Sequence, residues 1–285
     1  MWNKFPSMRV HSWGGFGSQL FTAHLVLRLK EKYPGRKIKV FVHTSGVTQR
    51  FTEFNFNAIG IESYQINDFL KNYAPENKLE ETRMLKLLKI KTMKLLKSIL
   101  LSLHIVEECS DETEFSLTKP WSVDFRGHYT RIHLDSKLAN HLYETLLHNK
   151  ESLISKNSSI VIHYRLGDLL NLDEKSPVHP SRVEALLSTL EIDLDLIKVL
   201  TDSSVPEYKE FVSGSPILSS LIAENLNPID SLLLSVRSEA FIGTGSKISI
   251  WIAIFREITL KAKSYLPIEL NWVKETGLKE VQYYN

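Results

Sequence analysis

Three branched apolar residues, Ile160-Val161-Ile162, run directly into a polar cluster, His163-Tyr164-Arg165-Leu166-Gly167-Asp168. Such a run reads as a buried parallel strand, whose two faces are both covered by helices. The cluster then lies just past the carboxyl end, where open α/β sheets bind their ligands. Arg165 offers five donors in a fixed fork and keeps its charge, which suits a diphosphate. His163 lies two residues earlier, so in an extended strand both side chains leave the same face. A plainer arrangement fits equally well: a buried histidine and a surface arginine at a strand end.

The rest of the second half alternates in the same way. Pro180-Ser181-Arg182 opens a helix that reaches Leu190, and Lys198-Val199-Leu200 is a strand ending in Thr201-Asp202. Pro206 occupies the first turn of a helix. A short helix follows Asp230 and includes Leu232, Leu233, Leu234 and Val236. Ala240-Phe241-Ile242-Gly243 is a strand, Thr244-Gly245-Ser246-Lys247 a turn, and residues 248–258 a helix. This alternation predicts a doubly wound nucleotide-binding layout.

The turn itself is informative. Gly243-Thr244-Gly245-Ser246-Lys247-Ile248-Ser249 leads from a strand to a helix start, where amides and the positive dipole end favour an anion. It is not a Walker loop, because the spacing from glycine to Gly-Lys-Ser/Thr is absent. Ser246 also reads as a simple helix cap, and capping does not exclude anion binding.

Met8-Arg9-Val10-His11-Ser12-Trp13 reads as the first strand, followed by Gly14-Gly15-Phe16-Gly17-Ser18-Gln19. A helix runs from Leu20 to Lys32 and stops at Tyr33-Pro34-Gly35, since proline cannot continue it. Residues 37–42 then form a second strand, completing a βαβ unit. The glycines do not complete a dinucleotide fingerprint: Leu20 stands at the third glycine position, and no acidic residue closes the next strand. Gly14, Gly15 and Gly17 therefore read either as a tight turn or as bare backbone that a substrate approaches closely.

Between residues 83 and 103 stand Arg83, Lys86, Lys89, Lys91, Lys94 and Lys97, with no acidic residue. At 100° per residue Met84, Leu85, Leu88, Leu95, Leu96, Ile99 and Leu103 share one face, and most of the bases share the other. The segment is a basic amphipathic helix. It suits a core-packing helix with a solvated face, or docking on an anionic membrane surface. Nucleic acid is not expected, because no aromatics interleave with the lysines.

Glu107 to Asp124 reads as an acidic, loop-rich passage, and His133 to Lys150 as helical. Ser155-Lys156-Asn157-Ser158-Ser159 resembles an interdomain linker, giving domains 1–154 and 155–285. The single cysteine, Cys109, rules out an internal disulfide and fits a reducing compartment. A net charge of +2 is too mild to argue for nucleic acid. No signal peptide and no apolar run long enough for a membrane span are evident, so a cytoplasmic location is expected.

Three motifs in order resemble the GDP-fucose-dependent fucosyltransferase superfamily, best its bacterial α1,2-fucosyltransferases. Gly14-Gly15-Phe16-Gly17-Ser18-Gln19-Leu20-Phe21 is similar to that family's GGLGNQLF. His163-Tyr164-Arg165-Leu166-Gly167-Asp168 is similar to its HxRRGD. Asp230-Ser231-Leu232-Leu233-Leu234-Ser235 with Phe241 to Trp251 resembles its "D-LLLMS … IIANSTFSWW" block. The resemblance implies an α/β fold of the GT-B type, two Rossmann-like domains facing a cleft, with the acceptor on the first and the nucleotide on the second. It implies that Arg165 neutralises the leaving diphosphate and that His163 and Asp230 help hold the guanosine. Gly245, Ser246, Lys247 and Ile248 would meet the phosphates. Two departures stand out: the second arginine is Leu166 and the expected Asn is Ser18, so a related donor such as GDP-colitose also fits.

The implied reaction is inverting transfer of a fucosyl or related deoxyhexosyl group to a hydroxyl of a glycan or lipid-linked glycan. No metal or other cofactor is expected, because fixed cations and amides stabilise departing GDP. Asp193-Leu194-Asp195 mimics a DxD motif but sits in an apolar-polar alternation ahead of a strand. Candidates for the general base are Asp173 and Glu174, in the loop before His179-Pro180, and Asp168. Peripheral attachment to the inner face of the cytoplasmic membrane is expected if the basic helix docks there.

Overall fold

A computed structural model describes residues 5–44, 54–66, 92, 95–109, 119–148, 160–171, 176–190 and 192–285. The chain forms two compact α/β units, Met1–His133 and Leu134–Asn285. Each is built on a parallel sheet of the Rossmann-like kind.

In the first unit β1 (Met8–Trp13) leads into α1 (Phe16–Lys32) and β2 (Ile38–His43). Then come β3 (Glu62–Ile66), a helix α2 over residues 95–102, β4 (Val106–Cys109) and β5 (Asp124–Gly127). The sheet order is β3-β2-β1-β5-β4, with every pairing parallel. Alternation along β1 buries Met8, Val10 and Ser12, and α1 is buried nearly all round, as a helix apolar on every side must be.

The first glycine turn is tighter than the sequence suggests. The helix starts at Phe16, not Leu20, so Gly17 is a buried first-turn residue and offers no backbone to a substrate. Gly14 carries the constraint: its φ is +91°, and a Cβ there would stand 2.8 Å from Ser18 Oγ. Glu107 to Asp124 is also not simply a loop, because β4 and the start of β5 lie within it. Arg36, 4% exposed, staples the turns around β5 by donating to the carbonyls of Pro6 (3.0 Å), Ser122 (2.9 Å) and Pro120.

The second unit opens with α3 (Ser136–Leu147), whose first turn is capped by the Asp135 carboxylate. Its Tyr143 ring lies 5.3 Å from that of Phe255 on a later helix. That packing places α3 with the second unit, so the compact units divide ahead of the Ser155–Ser159 stretch rather than within it. The stretch itself lies outside the described residues.

β6 (Ile160–Tyr164), α4 (Pro180–Thr189), β7 (Ile197–Thr201), α5 (Val205–Phe211), α6 (Pro216–Ser220) and β8 (Ala223–Asn225) follow. The chain continues through α7 (Pro228–Arg237), β9 (Ala240–Gly243), α8 (Lys247–Leu260), β10 (Ser264–Pro267) and β11 (Val281–Tyr284). The order β11-β10-β9-β6-β7-β8 is that of the dinucleotide-binding fold, the chain working outward first to one side and then to the other. All five residues of β6 are buried, as befits the central strand. The order reverses between β6 and β9, so the crevice of this sheet opens at the carboxyl ends of those two strands.

Candidate functional site

The reversal point brings together the two polar motifs of the second half. His163 is in register with Gly243, which puts the end of β6 beside the turn into α8. Thr244, fully buried, fastens them: its hydroxyl accepts the Arg165 amide (2.7 Å) and donates to the His163 carbonyl (3.2 Å). The Thr244 amide donates to the same carbonyl (3.2 Å). Glycine is required at 243, because a Cβ would meet Ser249 Cβ at 2.7 Å and Leu266 Cδ2 at 2.9 Å. α8 is thereby allowed to start against the sheet.

Ser246 caps α8, its hydroxyl accepting the Ser249 amide at 3.1 Å. Lys247 and Ile248 occupy the first helical positions and are half-buried, where helix-start amides have no intrahelical acceptor. Gly245 is exposed, with open space where a side chain would stand. The helix start is thus capped by a side chain and bare of one at Gly245, a form that suits an anion.

His163 takes the plainer of its two expected arrangements, that of a buried histidine. Its ring is 3% exposed, and Nδ1 lies 3.3 Å from Ser249 Oγ. Burial lowers its pKa to about 4, against an opposing pull from Asp202. The imidazole is a neutral strut beneath the helix start rather than a ring presented to a nucleoside.

Arg165 is only partly exposed, and its Nη1 pairs with the Asp202 carboxylate at the end of β7. The other Asp202 oxygen accepts the Leu166 amide at 2.8 Å. Gly167, at φ +20°, leaves room for this clasp, since a Cβ there would stand 2.6 Å from Asp202 Oδ2. Sequence reasoning saw Asp202 only as a strand end; its closeness to Arg165 follows from the β6–β7 pairing. Leu166 is fully buried and packs in the core.

Asp230 sits in the first turn of α7, half-buried and bonded to the Asn227 side chain. Its helix begins just past β8, the strand two places from β6 in the sheet. Asp173 and Glu174 lie outside the described residues, and Asp168 is described only as backbone of the turn Gly167–Asn171. Asp193 is a local cap, accepting the Asp195 amide at 3.0 Å. Among the described residues no cluster of three or more His, Cys, Asp or Glu is arranged to hold a metal.

The first unit has a polar cluster of its own, which sequence reading missed. His11 Nδ1 is 2.8 Å from His43 Nε2, and His11 Nε2 is 3.5 Å from Asp124 Oδ1. Arg9 and Arg126 also hold Asp124, at 3.2 and 2.9 Å. Trp13 stacks on His43 with ring centroids 4.3 Å apart. Burial lowers the pKa of both histidines, that of His43 to about 4. The available signal was the strand pairing that sets positions 11 and 41 and positions 13 and 43 side by side.

The sequence matches no protein-family profile and no curated protein. Solved structures with a similar course of chain include the fucosyltransferase NodZ from Bradyrhizobium, 14% identical, covering 87% of this chain and 92% of that one at a TM-score of 0.44. The heptosyltransferase WaaC of E. coli is 13% identical over 91% and 88% of the two chains, at 0.45. A UDP-N-acetylglucosamine 2-epimerase from Listeria monocytogenes, described as putative, is 10% identical over 92% and 79%, at 0.41. Likenesses this distant assign no chemistry.

Proposed function

We propose that the protein is an inverting glycosyltransferase that moves a fucosyl or related deoxyhexosyl group from a GDP-sugar to a glycan hydroxyl, most simply in an α1,2 linkage. The observation that carries this reading is the meeting of the Arg165 strand end with the Ser246 helix start at the strand-order reversal, fastened by Thr244. The order of the three motifs, from Gly14 to Trp251, supports the choice of family.

In this reading the α8 amides, the Ser246 hydroxyl and Lys247 receive the diphosphate, with Arg165 adding a cation. Asp202 positions Arg165 and yields part of its guanidinium to the incoming phosphates. Asp230 takes the guanine N1 and N2 hydrogens. Departing GDP is stabilised by groups fixed before reaction begins, with no metal required. Asp168 or Asp173 takes the proton of the acceptor hydroxyl.

A second reading rests on Leu166 standing where the resembled motif has its second arginine: the donor is another GDP-sugar such as GDP-colitose. Calorimetric titration with GDP, followed by donor hydrolysis across GDP-sugars without added metal, tests both. Saturable GDP binding that Arg165→Ala weakens at least severalfold is expected. Absence of GDP binding by the intact protein overturns the proposal; if anionic lipid or nucleic acid binds in its place, the protein is a non-catalytic binding protein.

A further inference from the structure

Residues 83–91 of the expected basic helix lie outside the described part. Leu95, Leu96 and Ile99 of α2, and Leu103 just beyond it, are exposed, so the expectation of core packing is not met along residues 95–103. Beneath the start of α8, by contrast, polar groups are buried in a row. Ser249 Oγ, on a fully buried residue, stands 2.8 Å from Ser246 Oγ and 3.3 Å from His163 Nδ1. The Ser246 oxygen also accepts the Ser249 amide at 3.1 Å. Burial lowers the imidazole pKa to about 4, so at neutral pH the ring holds one proton, on one nitrogen or the other.

Each hydroxyl has one proton to give and two lone pairs to fill. The place of the ring proton therefore decides the direction of the whole row. With Nδ1 bare, Ser249 donates to it, and Ser246 must donate to Ser249. The Ser246 proton then points inward, and the helix start is left with a lone pair that repels an anion. With Nδ1 protonated the order reverses: the ring donates to Ser249, and Ser249 donates to Ser246. Both Ser246 lone pairs are now filled from within the protein, so its proton turns outward, where a phosphate oxygen accepts it. A mixed order, with Nδ1 bare and Ser246 turned outward, sets two lone pairs facing each other 3.3 Å apart in a buried place, which is costly.

We propose that His163 is a positioning residue, its Nδ1 proton turning the Ser246 hydroxyl outward to donate to a phosphate group at the start of α8. The inference rests on the sugar-nucleotide reading for its ligand, the diphosphate. Arg165 and Lys247 attract an anion by charge alone, whereas the row adds a coupling: the bound anion draws the ring proton to Nδ1.

The test is nitrogen NMR of the full-length protein carrying isotope-labelled histidine, with the His163 ring assigned through its backbone. GDP and inorganic pyrophosphate are titrated separately. The share of His163 with its proton on Nδ1 should rise on saturation with either anion. Ser249→Ala breaks the row, so its His163 signals should no longer follow the anion. Ser246→Ala should weaken both anions about tenfold, the worth of one hydrogen bond to a charged oxygen. A share of protonated Nδ1 that stays the same on binding overturns the proposal, as does a response that survives Ser249→Ala. If pyrophosphate binds and GDP does not, the sugar-transfer reading falls, while the ring's response still decides this one. If neither anion binds, the outward hydroxyl has no acceptor and both are overturned.

Discussion

Replacing Thr244 by valine changes one hydroxyl to a methyl at a fully buried position, with little change of volume. Two hydrogen bonds disappear: the one donated to the His163 carbonyl and the one accepted from the Arg165 amide. The carbonyl keeps the Thr244 amide as a partner, whereas the Arg165 amide loses its bond to the hydroxyl. Each lost hydrogen bond costs about 0.5–1.5 kcal/mol net, so a loss of ~2 kcal/mol is expected for the two. For a unit of this size that is about 4–8 °C in melting temperature. Thr244→Ser keeps the hydroxyl and gives up one methyl, at about 1 kcal/mol. Differential scanning calorimetry of both variants, paired with GDP titration, decides the matter. If serine proves the more damaging substitution, the clasp is a packing contact and the reasoning fails.

Further outcomes can be checked alongside. Arg256 is fully buried and donates to the carbonyls of Ser235, Val236, Ser238, Glu239 and Lys263 without facing a carboxylate. Arg256→Met should cost about 3–5 kcal/mol in urea unfolding yet leave GDP affinity unchanged at low temperature, since it lies at the other end of β9; a loss below about 1 kcal/mol contradicts this. His43 and His163, with folded pKa values lowered to about 4, bind fewer protons folded than unfolded. Stability should therefore be full above the unfolded value near 6.5 and fall as pH drops from there toward about 4, read as a declining urea midpoint between about pH 7 and pH 5; a flat midpoint refutes the assignment. Gly167→Ala should weaken GDP binding by moving the Asp202 clasp; unchanged affinity would show that the clasp does not position Arg165.

The sequence made the second unit plain because its strands announce themselves. Ile160-Val161-Ile162 and Ala240-Phe241-Ile242 are apolar throughout, and prolines mark the starts of α4, α5 and α7. The edge strands were not legible: Glu62–Ile66 and Val281–Tyr284 mix exposed and buried positions and carry no long apolar run. The glycine motif predicted a turn, but not that Gly17 belongs to the helix, since only backbone φ distinguishes Gly14 from its neighbours. At the site, residue types and their order were legible, while the Asp202 clasp and the inward turn of His163 arise from pairing between distant strands. Likewise α2 was readable as amphipathic, but which face met the body of the protein was not.

Thr244 reaches back across 79 residues to the Arg165 amide, and four elements of helix and three strands must be laid down between them. A chain stopped before β9 thus possesses the cation but no cradle. Whatever ligand the crevice accepts can bind only once the last central strand has slotted into register. By mass action such a ligand would draw late folding intermediates toward the finished sheet, so its abundance in the cell also governs how much intact protein survives.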